Sequence, residues 1–142
     1  MRLTRAGEYA VRCVLYLSRH EKGMVISRGQ IAEHMEIPDQ FLSKIGQQLS
    51  RAGIIDIIQG AKGGFRMSVS PDELTLLAVI EAVIGEIYLN DCILHPDGCR
   101  RNPTCAIHLI WQNARKKLRE TLAESTFARL VAEESCLSEV DI

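Results

Sequence analysis

Three cysteines and a histidine in one short stretch carry the most distinctive chemistry of this chain. Cys92, Cys99 and Cys105 fall within 14 residues at a spacing of C-x6-C-x5-C, and His108 follows the last at C-x2-H. Pro96, Gly98 and Pro103 interrupt regular structure between them, so the stretch reads as a loop able to fold back on itself. Thiolates gathered on such a loop repel one another, and a bound cation relieves that repulsion. Iron–sulfur clusters are held chiefly by Cys thiolates. The loop therefore reads as a metal or iron–sulfur nest, against the plainer reading of unrelated thiols. His108 lies one helical turn beyond Cys105, so both side chains can face one site if a helix begins there. A disulfide framework fits less well, because Met-Arg-Leu-Thr-Arg is not the start of a secretory signal and cytosolic thiols stay reduced.

The rest of the chain must position that loop. No apolar run is long enough to span a bilayer, which predicts a soluble, cytoplasmic protein with no membrane partner. Net charge is only −1, but it is unevenly spread. Residues 1–70 carry ten Lys/Arg against six Asp/Glu, and residues 71–142 carry seven against twelve. A basic working half and an acidic half with another task follow from that asymmetry, as does a division into 1–71 and 72–142.

The basic half reads as helix, helix, helix, hairpin. Thr4 caps a helix to about His20, with Tyr9, Ala10, Cys13, Val14 and Leu17 on one apolar face. Ser27 and Gln30 make a capping box before a short helix with Ile31, Ala32 and Met35 inward. After Pro38 a third helix buries Phe41, Leu42, Ile45 and Leu49, and stops at Gly53. It turns Gln40, Ser43, Lys44, Gln47 and Arg51 outward, the pattern of a recognition helix. Ile54 to Ile58 and Phe65 to Val69 read as paired strands around the turn Gln59-Gly60-Ala61-Lys62-Gly63-Gly64. A hairpin directly after a helix-turn-helix is a wing, so the fold class is mainly α with a small β-hairpin: a winged helix-turn-helix. Arg28 and Lys44 are expected on DNA phosphates and Gln40 and Ser43 at base edges. Lys62 and Arg66 supply charge from the wing.

In the acidic half, Thr75 caps a helix with Leu76, Val79, Ile80, Val83 and Ile84 on its stripe, ended by Gly85. A long helix is expected from Thr104, where Ile107, Trp111, Ala114, Leu118 and Leu122 form a narrow seam suited to a dimer partner. Ser125 or Thr126 caps a last short helix. An acidic tail from Glu133, holding Cys136, is expected to fray.

Together these residues resemble the IscR/NsrR family of bacterial winged-helix regulators. The resemblance rests on Met-Arg-Leu-Thr-x-x-Gly-x-Tyr-Ala-Val at the start, on Gly60-x-x-Gly63-Gly64-Phe65 in the wing, and on three cysteines ahead of a long helix containing Trp111. It implies a homodimer on a palindromic double-stranded DNA operator. Such a regulator, usually a repressor, senses iron, redox state or nitric oxide through a 2Fe-2S or 4Fe-4S iron–sulfur cluster. By resemblance Cys92, Cys99 and Cys105 are the cluster ligands. IscR-like members imply His108 as the fourth ligand, and NsrR-like members imply a carboxylate near the N-terminus, Glu8, donated across the dimer. Two departures stand out. The first cysteine gap is six residues where five is the IscR-like spacing, and Gln59 replaces an arginine of IscR-like wings, a role Lys62 or Arg66 would take over.

Two other function classes fit the loop. An electron-transfer protein would use the cluster but has no need of the wing glycines or Lys44. A zinc-stabilised DNA-binding protein without sensing would use the same ligands. The serines lack a paired His and acid, so no enzyme is expected.

Overall fold

The computed structural model describes residues 3–139, with side chains through Glu134. Its first helix, α1 (Arg5–Ser18), starts where Thr4 in extended conformation accepts a hydrogen bond from the Gly7 N–H. Tyr9, Ala10, Cys13, Val14 and Leu17 are buried along it as their spacing requires. Burial pushes the Cys13 thiol up to about 12, so this cysteine is a core residue without reactive chemistry.

The helix-turn-helix is α2 (Arg28–Met35) and α3 (Asp39–Arg51). Ser27 Oγ caps α2 by accepting from the Gln30 N–H, but the expected capping box is only half formed. The Gln30 side chain donates instead to Tyr16 Oη at 2.9 Å, tying α2 to α1. Pro38 precedes α3 as its cap, and Leu42, Ile45, Gly46 and Leu49 are its buried face. Phe41 departs from the expected stripe. It is 44% exposed at the edge of that face, its ring 5.5 Å from that of Tyr9.

Strands β1 (Ile55–Ile58) and β2 (Gly64–Met67) form one antiparallel ladder, with Ile55 opposite Met67 and Ile58 opposite Gly64. Ile26 adds a bridge to Phe65, with both backbone bonds at 2.9 Å, so the segment before α2 extends the wing. Gly64 permits this closeness: a Cβ there would run into the Ile26 carbonyl. Phe65 then points inward over Gly46 of α3, where any added methyl would meet its ring. One aromatic side chain thus locks wing to recognition helix.

Helix α4 (Leu76–Ile84) begins at the predicted Thr75 cap and ends at Gly85. Val79 and Val83 join the same core as Leu42, Ile45 and Phe65, as does Phe127 of α7 (Phe127–Glu139). The two sequence halves therefore share one core. The expected frayed tail is instead helical through Glu139: Arg129 pairs with Glu133 at 2.9 Å, and Glu134 with Arg19, the C-cap of α1, at 2.6 Å. The side chain of Cys136 lies outside the described residues.

Between α4 and α7 come a short α5 (Asp91–Leu94), two single 3-10 turns at Pro96–Gly98 and Asn102–Thr104, and the long α6 (Ala106–Ala123). Helix α6 starts two residues later than expected, with Cys105 as its N-cap. It lies beside α4 and α5. Among the described residues no helix is long and apolar enough to cross a membrane.

Candidate metal centre and nucleic-acid interface

From Asp91 to Ile107 no residue is buried, so side-chain contacts rather than a core must hold the cysteine segment in place. Cys92 sits on α5, Cys99 just after the first 3-10 turn, and Cys105 at the cap of α6. His108 is the only buried residue of α6, 8% exposed, and its Nδ1 lies 3.4 Å from Cys92 Sγ. That is hydrogen-bond reach for sulfur, between thiol and neutral imidazole or between imidazole N–H and thiolate. The fold has therefore brought together two residues sixteen positions apart, a thiol and an imidazole, which suit iron or zinc alike. Cys105 is half-buried and Cys99 is exposed. Among the described residues no three His, Cys, Asp or Glu side chains stand together as a complete metal site.

The donor set fits a thiolate-bound group in chemistry, with the Cys92–His108 pair already assembled. Cys99 is on the unburied part of the loop, where moving it disturbs no core. Glu8 is placed apart. It is exposed on the first turn of α1 and lines a pocket with Leu3, Thr4 and Arg5.

Sequence reasoning did not foresee what anchors this pair. Along α6, toward its N-terminus, Arg119, Arg115, Trp111 and His108 each reach a partner on the segment from α4 to α5. Arg119 pairs with Glu81 at 2.7 Å, and Arg115 Nε donates to the Ile87 carbonyl at 2.7 Å. The Trp111 indole N–H donates to Asn90 at 2.8 Å, with the amide oriented so that its oxygen faces the ring. Burial pulls the Glu81 carboxyl upward. Hydrogen bonds from Arg119 and the Ile87 N–H, with the charges of Arg119 and Arg115, outweigh that and hold it below the usual carboxylate range. The invisible signal was Asn90, a lone polar residue outside any periodic pattern.

In the winged helix, Arg28, Ser43 and Gln47 of the helix-turn-helix face Gln59, Gly60 and Gly63 of the wing across a cleft of about 290 Å3. Arg28 donates to Ser43 Oγ, so the phosphate cation and the base-edge hydroxyl expected from the sequence touch each other. Gln40, Lys44 and Lys62 are exposed, and among the described residues neither lysine has an ion-pair partner. Arg66 is engaged with Asp56 directly across the ladder, at 3.1 Å. Hydrogen bonds from Ser68 and Arg66 hold the Asp56 carboxyl below its ordinary value. Gln47 lines the cleft together with Ser43, and it belongs with the candidate contacts.

A family model described as an iron-dependent transcriptional regulator, Rrf2, matches residues 3–133. The chain belongs to the Rrf2 family. Among Rrf2 relatives, it is 28% identical over 141 residues to the HTH-type transcriptional regulator IscR of Sodalis glossinidius, covering 99% of this chain and 85% of that one. It is 29% identical over 135 residues to the HTH-type transcriptional regulator NsrR of Halalkalibacterium halodurans, covering 94% and 92%. Of solved structures, the oxidised form of Staphylococcus aureus CymR superposes with a TM-score of 0.74 at 25% identity, covering 92% of this chain and 96% of that one. CymR, the global cysteine regulator of Bacillus subtilis, gives 0.79 at 22% identity, with 94% and 98% covered. The IscR of T. potens gives 0.70 at 20%, with 94% and 88% covered. The last two likenesses show the shared fold. The Rrf2 assignment makes this chain a transcriptional regulator and its winged helix a DNA-binding unit.

Proposed function

We propose that this Rrf2 protein is a homodimeric repressor whose DNA affinity is set by an iron–sulfur cluster. Cys92, Cys99 and Cys105 hold the cluster, with His108 as fourth ligand ahead of Glu8. The observation that carries the reading is the Cys92–His108 pair, because it sets a buried imidazole against a thiol, two donors of the kind a cluster needs, sixteen residues apart in the chain. The cluster supplies a redox- and ligand-responsive charge at the root of α6, and the chain's own residues do the rest. Ile107, Leu109 and Ile110 are 58%, 65% and 62% exposed on the first turns of α6, an apolar face that a second copy would cover. Two copies present two recognition helices to a palindromic operator, whose half-site spacing is sensitive to any change where α6 meets the cluster loop. The boundary near residue 71 is then a division of labour within one shared core.

At the DNA, Lys44 and Lys62 neutralise phosphates and Gln40 reads a base edge. Arg28 holds Ser43 at the cleft while contacting a phosphate. Arg66 steadies the wing through Asp56 and adds charge to the backbone. Lys44→Ala should weaken binding to all sequences and flatten its salt dependence. Gln40→Ala should relax preference at one position by about 1–3 kcal/mol. The deciding experiment is an anaerobic absorption spectrum together with mobility shifts on the protein's own promoter region, with and without the cluster. Equal affinity for promoter and random DNA in both forms would sink the proposal, and a colourless zinc protein would leave DNA binding without cluster sensing. A protein that transfers electrons but ignores DNA sequence would support the electron-carrier alternative.

A second reading has its own support: direct thiol oxidation without a cluster. Cys99 is exposed, and the staphylococcal relative at 25% identity has an oxidised form. Oxidant-dependent DNA binding by metal-free protein, abolished by Cys99→Ser, would favour it.

A further inference from the structure

The contacts that anchor the segment before α5 end one turn short of the Cys92–His108 pair, and the last of them lies at Asn90. We propose that Asn90 is a positioning residue of the candidate metal centre. Through its bond to Trp111 it pins the start of α5 to α6 and so holds Cys92 opposite His108. The inference rests on the metal-centre reading above but is testable apart from it.

Geometry carries the argument. Asn90 is the cap residue of α5, yet its side chain makes no capping bond to that helix. It is exposed and reaches across to the indole of Trp111 at 2.8 Å, while the Ile93 N–H that a cap side chain would take is bonded to the Asn90 backbone carbonyl at 3.0 Å. A cap asparagine that forgoes its own helix is serving another contact. Trp111 is three residues beyond His108 on α6 and Asn90 is two before Cys92, so the two rungs, Asn90–Trp111 and Cys92–His108, stand side by side. Behind them, the Ile87 carbonyl on Arg115 and the Ile87 N–H on Glu81, at 2.7 and 2.8 Å, fix the other end of the same short segment. With no buried residue between Asp91 and Ile107, nothing else in the core sets where Cys92 lies. Removing the Asn90 rung leaves four residues between Cys92 and its next anchor on that side, Ile87.

The test uses the whole chain, freed of metal and kept reduced. Asn90→Ala removes the acceptor from an exposed position, and Trp111→Phe keeps the ring while removing the donor. Cobalt(II) is the probe, followed by its thiolate charge-transfer absorption, and amide exchange over residues 90–95 is read in parallel. Each variant should weaken cobalt binding about two- to tenfold, the effect of one net hydrogen bond, and speed exchange in that segment by a similar factor. The double variant should be no worse than either single one, since both remove the same bond. Exchange in α1 should not change. Unaltered cobalt affinity and exchange in both variants would overturn the proposal, as would additive losses. If the unaltered chain takes up no cobalt through its thiols, the metal-centre reading fails, while the exchange measurement still decides whether Asn90 pins α5.

Discussion

The wing and the cysteine segment are both irregular by sequence, rich in glycine or proline, and they solve the problem of order in opposite ways. The wing is fixed by backbone and core: a registered ladder, a bridge to Ile26, and Phe65 locked over Gly46. The cysteine segment has neither ladder nor core: side-chain rungs onto α6 fix its start, and local turn bonds with the Asn102 amide on the Pro96 carbonyl at 2.9 Å order the rest. A surface that must match DNA gains from being set before DNA arrives. If the cysteine loop closes around a bound group, as proposed, it gains from being adjustable, because binding then supplies part of its order. The difference also has a route. Glu81 of α4 holds Arg119 and the Ile87 N–H, while two residues further along α4 the Val83 carbonyl accepts from Gln48 of α3 at 3.2 Å. A change in the cysteine segment therefore has a short path of packed elements to the recognition helix.

The largest test of that comparison is Phe65→Ala. Phe65 is buried against α3 and belongs to the ladder and to the Ile26 bridge at once. Truncating it should cost about 3–5 kcal/mol in denaturant unfolding. A loss below 1 kcal/mol would mean that the wing is not part of the folding unit. Gly46→Ala should act in the same direction by overpacking, at about 1–3 kcal/mol.

Much of the frame was legible because its signals are local. Thr4, Ser27 and Thr75 each cap the helix their position announced, since a hydroxyl before an apolar-periodic run has one good use. Phe41 was misplaced because periodicity identifies a face but not its edge, and here the edge residue lies at the rim of the core, beside Tyr9, and stays 44% exposed. Gln30 satisfied the capping-box pattern, but its side chain found Tyr16, a partner on another helix. In the cysteine segment the residue types were legible and their arrangement was not. Asn90 and Arg115 act across the fold, and no spacing in the chain records it.

Glu81→Gln tests the link between the two regions. The carboxyl is largely shielded, but Arg119 is partly exposed, so solvent screening limits the pair to about 1–2 kcal/mol. Its folded-state value lies below its ordinary 4.5. The stabilisation it brings is therefore present above about pH 4.5 and is lost as pH falls through the lower, folded value. The unaltered protein should lose stability over that window more steeply than Glu81→Gln, measured by thermal unfolding at stepped pH. Identical pH profiles would show that the Glu81–Arg119 contact contributes nothing in solution.

The smallest effect on the fold belongs to Cys99→Ser, and it is the sharpest test of the contrast. Cys99 is exposed, lies between two single 3-10 turns, and has no part in the core. Replacing its sulfur with oxygen should change the stability of metal-free protein by no more than about 0.5 kcal/mol. The same substitution removes one of three thiolates from the proposed cluster, and a hydroxyl is a poor substitute ligand for iron. Anaerobically prepared Cys99→Ser protein should therefore unfold like its parent when metal-free, and should lose the cluster's absorption or hold it only transiently. A substantial loss of stability in the metal-free state would show that the segment is structurally committed, like the wing. Full retention of the cluster would remove Cys99 from the ligand set and leave the Cys92–His108 pair to find its remaining donors elsewhere.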